Sequence, residues 1–566
     1  MIYTKDKGYN LKDLIKNILA EAINKTYLDN KYFDLIEIQA VTAKNIDADF
    51  FSNISMKLAK ELKDNPMHIA EDIIKNIAKT KDFSISIVKP GYINFLIMDK
   101  KKNNIIPMIN NSDDLLSHCK TNNKKKINVE FVSANPTGPL HIGHGRGVIY
   151  GNIIAKFLKI QGHDVTKEYY VNDFGNQIEK LCFSIFSKID KRYAENQEDL
   201  YQGDYIREIA DLVKKNNFQL PSVKSSINST SEDLNDRYIP ASTRKFIVET
   251  MIGKIKSQLD NLDVSFDSWF YESWLLSSAS PNDRKELKPY HPNKIIGELR
   301  KSGHIHDDDS GAVMLKAEEP RVLIKSDSTY TYFASDLAYH DFKLNRYDRV
   351  IDIWGADHHG YIPRMKIGLE ALGHNIDKLD IHLIQFANLF RDNEKISMST
   401  RKGEYVELNK LSDEIGKDAV NYFYLTKNKD QHLDFDLDIA IKQNKNNPVY
   451  YIQYAHARIE KILIEVNNYQ DEEYDLESLS HKLEKELILT LIGFGEVANK
   501  TIRDLQPHLI THYLQKLAHD FHSYYANVKI LSDDHQDYSK IHLIAAVQKV
   551  IKCGLDLLNI NAPKVM

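Results

Sequence analysis

The sequence predicts an α/β protein built on a Rossmann-like, doubly wound parallel-sheet core, with an N-terminal α+β domain and a C-terminal all-α bundle. Three observations predict this. From residue 127 to about 445, strand and helix patterns alternate, as a doubly wound parallel sheet requires. The first hundred residues show helical patterns at about 10–26 and 66–80 around a β-rich end, Ile85–Val88 and Gly91–Ile97. Beyond about 446 only helical patterns occur, in amphipathic runs at 449–467, 482–503, 507–530 and 540–558.

The elements follow in order. Residues 1–110 form the first domain, and the polar stretch Asn110–Lys126, ending in Lys124-Lys125-Lys126, leads from it into the core of residues 111–445. The core opens with a strand at 127–132 (Ile127, Val129, Phe131, Val132), a helix at 145–160 that stops near Gly162, and a strand from Val165 to Val171. Residues 190–325 interrupt this rhythm with a Ser/Asn-rich stretch, Pro221–Asn235, and an aromatic knot, Phe266–Trp274. They read as an insertion between the two halves of the sheet, the second half resuming near Val322. Residues 446–566 form the bundle.

Composition excludes several classes. A length of 566 residues suits about three or four domains, and 42% hydrophobic residues suffice for their cores. Three widely spaced cysteines, Cys119, Cys182 and Cys553, make neither a disulfide framework nor a zinc motif, as expected in a reducing cytoplasm. The charged opening Met1–Lys7 does not read as a secretion leader, and no apolar stretch of about 18 residues predicts a membrane span. A net charge of −5 neither advertises nor excludes a nucleic-acid partner, because local patches set that affinity. A monomer is expected.

The most informative stretch is Glu130–Gly147, where a glycine-rich turn joins a buried strand to a helix. Such a turn lets a polyphosphate approach the backbone, and the helix N-terminus supplies N–H groups and positive dipole. His141 and His144 project from it and can donate hydrogen bonds as charge develops on phosphate. A dinucleotide fingerprint does not fit, since after Gly143-x-Gly145 the third glycine would fall at Val148. No P-loop pattern occurs here either. Pro139-Leu140-His141-Ile142-Gly143-His144 resembles the HIGH motif of class I aminoacyl-tRNA synthetases, and Ser133–Gly138 before it resembles the arginyl-tRNA synthetase form.

That resemblance covers essentially the whole chain and implies roles along it. Pro139 and Gly143 would bind ATP beside His141 and His144. Glu130, Ser133 and Asn135 match the arginine pocket, where a guanidinium calls for carboxylates in fork geometry. In Tyr169–Ile178, Asn172, Asp173 and Gln177 lie at a strand's carboxyl end, and Asn172 is assigned to arginine, although Asp173 also suits a helix cap. Tyr332 and Asp336, four residues apart on one helix face, match the family's Tyr-x-x-x-Asp arginine ligands. In Ile351–Tyr361, Gly355 and His358 would line the adenosine site. The triplet Asp357-His358-His359 also invites a metal reading, but adjacent histidines on an extended segment face opposite ways.

Lys395–Gly403 occupies the place of the KMSKS loop. Ser397 and Thr400 replace its lysines, so Arg401, Lys402 or Lys395 must meet the phosphates; Met398 and Ser399 complete the catalytic set. Tyr451, Tyr454 and Arg458 open a block that resembles the anticodon-binding domain, where aromatic and arginine planes stack on splayed bases. The end of the chain at Met566 resembles the family's anticodon-reaching terminus, and residues 1–110 resemble its tRNA-elbow domain. No editing domain is expected. The implied enzyme activates L-arginine with Mg-ATP and esterifies the terminal adenosine of tRNA(Arg), without a structural metal. Two alternatives stand at this point: a metal-dependent phosphoesterase built on Asp357-His358-His359, and an inactive tRNA-binding relative suggested by Ser397 and Thr400.

Overall fold

The computed structural model describes residues 11–28, 30–41, 46–78, 81–194, 200–221, 239–276, 290–317, 319–396, 406–531 and 537–566. In the N-terminal region, strands β1 (Gln39–Ala40), β2 (Phe50–Ser52), β3 (Phe83–Val88) and β4 (Tyr92–Ile97) form an antiparallel sheet in the order β1-β2-β4-β3. Helices Leu11–Tyr27, Ile54–Leu62 and Pro66–Lys75 accompany it, the middle one unanticipated. In the first of these, Leu11, Ile15, Leu19, Ala22 and Ile23 recur at helical spacing and are buried.

The core sheet has five parallel strands: β5 (Lys126–Glu130), β6 (Asp164–Val171), β7 (Ser268–Tyr271), β11 (Arg349–Gly355) and β12 (Leu379–Ile384), in the order β12-β11-β5-β6-β7. Between them in sequence, β8 (Ile305–Asp307), β9 (Val313–Leu315) and β10 (Arg321–Ile324) form a small antiparallel sheet. Strand β7 corrects the sequence reading: a member of the core sheet lies inside the stretch expected to be an insertion. Its four residues, mostly aromatic, are too few to show a period. A fourth sheet joins β13 (Ala387–Arg391), β14 (Glu394–Lys395) and β15 (Leu433–Asp436).

Strand β5 is central and sandwiched. The ring of Phe131, just past its end, packs against Gly151 of helix Ile142–Ile160; a Cβ there would sit 2.3 Å from the ring. Glu130 points to the opposite face, toward helix Tyr332–Arg346. Helix Ile142–Ile160 carries Gly143, Gly145, Gly147 and Gly151, which together cost about 2–4 kcal/mol against alanines. Burial of Ile149, Ile153, Ile154, Phe157 and Leu158, at about 1.5–3 kcal/mol each, outweighs that.

Helices Pro448–Val466, Lys482–Ile492, Phe494–Arg503, His508–Asn527 and Tyr538–Leu557 make the C-terminal bundle; the expected run at 482–503 breaks at Gly493. The bundle is tied to the later turns of helix Ile142–Ile160. Tyr150 donates to the Leu505 carbonyl at 3.2 Å, Lys156 to Asn559 Oδ1 at 2.9 Å, and Gln161, just past the helix end, to the Ile502 carbonyl at 2.9 Å. No described helix is long and apolar enough to cross a membrane.

Candidate active site

A cavity of about 930 Å³ opens at the carboxyl ends of β5, β6, β11 and β12, where open α/β sheets bind ligands. After β5 it is lined by Glu130, Ser133, Asn135, Pro139, His141, Gly143 and His144. After β6 it meets Asn172 and Gln177, and after β11 Gly355, Asp357 and His358. Helix Tyr332–Arg346 adds Tyr332, Asp336, Tyr339 and His340, and Glu272 enters directly after β7. Twelve residues picked from the sequence thus share one space: Glu130, Ser133, Asn135, Pro139, His141, Gly143, His144, Asn172, Tyr332, Asp336, Gly355 and His358.

The histidine turn defines its own chemistry. His141 caps the helix, its Nδ1 accepting from the Gly143 N–H at 3.1 Å, while His144 Nδ1 accepts from the His141 N–H at 3.2 Å. An Nδ1 that accepts must be unprotonated, so in both neutral rings the proton resides on Nε2. Burial holds both rings neutral, pushing His144 down to about 3 and lowering His141 as well. They act as uncharged donors. The turn is itself clamped by Gln258, whose side chain accepts from Leu140 N–H at 2.7 Å and donates to the Leu140 carbonyl at 3.2 Å. Gln258 belongs to helix Ala241–Asp260, inside the expected insertion, and no local pattern singled it out.

The acidic side of the cavity contains three carboxylates. Glu130 is already committed: Lys343 Nζ reaches its Oε2 at 2.7 Å and the Ser133 hydroxyl its Oε1 at 2.8 Å. Asp336 accepts from the Tyr361 hydroxyl at 2.5 Å, and its pKa is raised by burial. Glu272 is 4% exposed, and burial together with the Asp336 charge lifts it to about 7, against a hydrogen bond from Ser335. With its amide turned to donate, Asn172 reaches Glu272 at 3.0 Å and the Phe174 carbonyl at 2.8 Å. Asn135 donates to Gln177 at 2.8 Å. Asp173 does not cap the following helix; it accepts from the Ser273 N–H at 2.9 Å and so ties β6 to the segment after β7. Glu272, Tyr361, His340 and Lys343 escaped the sequence reading, and recognising β7 would have placed Glu272 at a strand's carboxyl end.

Residues Ala356–Tyr361 form a 3₁₀ turn, not the extended segment expected, so neighbouring histidines are not forced to opposite faces there. Among the described residues, Asp357, His358 and His359 still do not gather as metal ligands. The cluster that does gather, Glu130, His340 and Asp352, has the Lys343 ammonium 2.7 Å from Glu130 and 2.6 Å from Asp352, a cation already in place. The predicted loop residues Ser397, Met398, Ser399, Thr400, Arg401 and Lys402 lie outside the described residues. The chain re-enters beside the histidine turn: Val406 accepts from Ile142 N–H at 3.1 Å, and Glu407 bridges to His141.

In the bundle, Tyr451 packs on His522 at 4.3 Å between ring centres, and Arg458 stacks on Tyr454 and on Tyr525 at 4.4 Å each. The terminal segment docks on the same helix through His456 to the Pro563 carbonyl at 2.8 Å and Lys564 to Glu460 at 3.1 Å, ending at the half-exposed Met566.

Three family descriptions match the chain: "Arginyl tRNA synthetase N terminal domain" over residues 13–97, "tRNA synthetases class I (R), catalytic domain" over 106–463, and "DALR anticodon binding domain" over 452–566. An arginine–tRNA ligase of Coxiella burnetii is 36% identical over 598 residues, covering 98% of this chain and 100% of that one. Another, of Bacillus licheniformis, is 33% identical over 584 residues, covering 98% and 99%. The solved arginyl-tRNA synthetase of Thermus thermophilus shares the fold, with a TM-score of 0.72 at 18% identity over 98% of this chain and 100% of that one.

Proposed function

Because the chain belongs to the class I arginyl-tRNA synthetases, ligases that form aminoacyl-tRNA, we propose that its cavity is where L-arginine and Mg-ATP react. The observation that carries this reading is the pairing, in one cavity, of two neutral Nε2–H donors with a set of buried carboxylates. Asp336, Tyr332 and Glu272 would take the guanidinium, with Glu130 and Ser133 as the floor, and Asn135 and Asn172 would hold the rest of the amino acid. Pro139, Gly143, Gly355 and His358 would seat the nucleotide. His141 and His144 would donate to the phosphates as charge develops there.

In the first step the arginine carboxylate attacks the α-phosphate, the bond to the β-phosphate breaks, and pyrophosphate leaves. The terminal 2′-hydroxyl of the tRNA then attacks the adenylate carbonyl, releasing AMP. Positioning supplies most of the acceleration. The loop Ser397–Lys402 is assigned to the leaving pyrophosphate, with Arg401, Lys402 or Lys395 in place of the missing lysines. Val406, four residues after the loop in sequence, accepts from the Ile142 N–H at the histidine turn, which supports this assignment. Tyr451, Tyr454, Arg458 and Met566 are assigned to the anticodon, residues 1–110 to the tRNA elbow, and residues 111–445 and 446–566 to catalysis and anticodon binding. A monomer working in the cytoplasm is proposed.

The test is arginine-dependent ATP–pyrophosphate exchange, measured with and without tRNA. Exchange requiring both arginine and tRNA(Arg) is the expected result. Absence of exchange under every condition, in a protein that still binds the tRNA, would replace this reading with that of a tRNA-binding relative.

A further inference from the structure

Three carboxylates stand side by side across the core sheet. Asp352 of β11 is in register with Glu130 of β5, which is in register with Glu168 of β6. All three are buried, at 0%, 8% and 3% exposure, and neighbouring strands lie only about 4.8 Å apart. Uncompensated, such a row would repel strongly in a medium of low dielectric. Its charged partners come from helix Tyr332–Arg346. Lys343 bridges Glu130 and Asp352, with its ammonium 4.4 Å from the centre of the Tyr339 ring. Tyr339 donates to Glu168 at 2.7 Å, as Asn128 does at 3.1 Å and Ser268 at 2.7 Å.

His340 completes the set. Its Nδ1 lies 2.7 Å from the Asp336 carbonyl oxygen and its Nε2 lies 2.8 Å from Asp352 Oδ2. Both neighbours are acceptors, so a singly protonated ring would set one lone pair against another in a buried site. The groups facing this ring are Asp352 and Trp354 from β11, Glu130 from β5, and Asp336, Tyr339 and Lys343 from its own helix.

The effect of the row reaches the cavity through Glu130. Its second oxygen takes the Ser133 hydroxyl, and Ser133 Oγ in turn accepts from the Tyr170 N–H at 3.0 Å. These bonds hold a strained turn: Val132 and Ser133 have φ of +68° and +41°, a region that a β-branched residue rarely enters. That turn carries the chain from β5 toward Asn135 and the histidine pair.

We propose that His340, carried as an imidazolium, and Lys343 are positioning residues: together they balance the charges of Asp352 and Glu130, leaving Glu168 to its neutral donors, and so hold Glu130 and the strained Val132–Ser133 turn in the geometry that receives the amino acid. Burial and the Lys343 ammonium push the His340 pKa down, and the Asp352 and Glu130 charges outweigh both and leave it raised. The inference rests on the arginine reading of the cavity.

Two measurements on the full-length protein decide it. In the first, ¹⁵N-histidine-labelled protein, with His340 assigned by its loss in His340→Gln, reports the protonation of both ring nitrogens at pH 7. Two protonated nitrogens are expected, and one protonated nitrogen would overturn the proposal. In the second, Lys343→Met is compared with wild type in pyrophosphate exchange. The arginine KM is expected to rise about tenfold or more, with the ATP KM held within about twofold, as for loss of a charged hydrogen bond beneath one substrate only. An unchanged arginine KM, or an equal rise in both, contradicts the proposal. If Lys343→Met does not fold, Lys343→Met/Asp352→Asn, which removes one charge of each sign, is read by the same split; if neither folds, protonation of the ring nitrogens alone decides. Failure of the arginine reading would look different, as wild-type exchange indifferent to arginine.

Discussion

His141 and His144 commit their Nδ1 lone pairs to backbone N–H groups, so their tautomer is set by the helix start itself. A donor fixed in this way costs no reorganisation when charge appears on phosphate. His144→Ala is therefore expected to lower the exchange rate constant by about 100-fold or more while moving the ATP KM little, as checked by exchange kinetics at saturating ATP. With the ring already neutral down to about pH 3, His144 should add no break to the rate profile between about pH 5 and 8. Glu272 behaves in the opposite way. Burial and Asp336 raise it to about 7, and a guanidinium prefers the ionised form. Lowering the pH through 7 protonates the empty site, so the arginine KM should climb as pH falls from 8 to 6, approaching about tenfold per unit in the limit. Glu272→Gln should have a higher arginine KM and flatten that dependence, which a KM series over this range reads directly.

At the scale of elements, helix Ile142–Ile160 sits close to the sheet because Gly151 leaves room for the Phe131 ring and Gly145 for the Tyr424 ring. Gly151→Ala would place a methyl 2.3 Å from a fully buried ring carbon, and overpacking of this kind costs about 1–3 kcal/mol, seen as a lower midpoint in thermal unfolding. The helix and the strand before it were legible in sequence because apolar spacing and a glycine turn agree locally; the helix start at Ile142, three residues before the expected 145, was not, since His141 as its cap is visible only in the structure. The four-residue strand Ser268–Tyr271 was not, since aromatic crowding hides a period of two in so short a run. For the site, residues read through a contiguous motif met in one cavity. Gln258 and Lys343 instead act on partners 118 and 213 residues away, Leu140 and Glu130, and Glu272 meets Asn172 from just past a strand distant in sequence. Long-range pairs of this kind leave no local periodicity to read. The 3₁₀ turn at Ala356–Tyr361 was missed for another reason: the strand before it is so regular that its pattern predicts continued extension.

The whole molecule joins two recognition tasks. The Tyr454–Arg458–Tyr525 stack lies on the bundle, on the helices Pro448–Val466 and His508–Asn527, and the cavity lies on the core sheet. Arg458→Ala should raise the KM for tRNA about tenfold and leave the arginine KM unaltered, because stacking on a base is worth about 1–3 kcal/mol; steady-state aminoacylation with each substrate varied checks this. The bundle also reaches the N-terminal region, through Lys12 to Glu496 and Lys100 to Glu477, each at 2.7 Å.

Helix Ile142–Ile160, about 28 Å long, has the histidine turn at one end and, through Tyr150, Lys156 and the adjoining Gln161, the bundle at the other. The chain is therefore not a set of interchangeable cassettes. A chimera that borrows the C-terminal bundle of a relative must bring matching partners for those three side chains, or the graft will fail along that seam. The natural cut for such engineering falls not at the start of the bundle but around this shared helix.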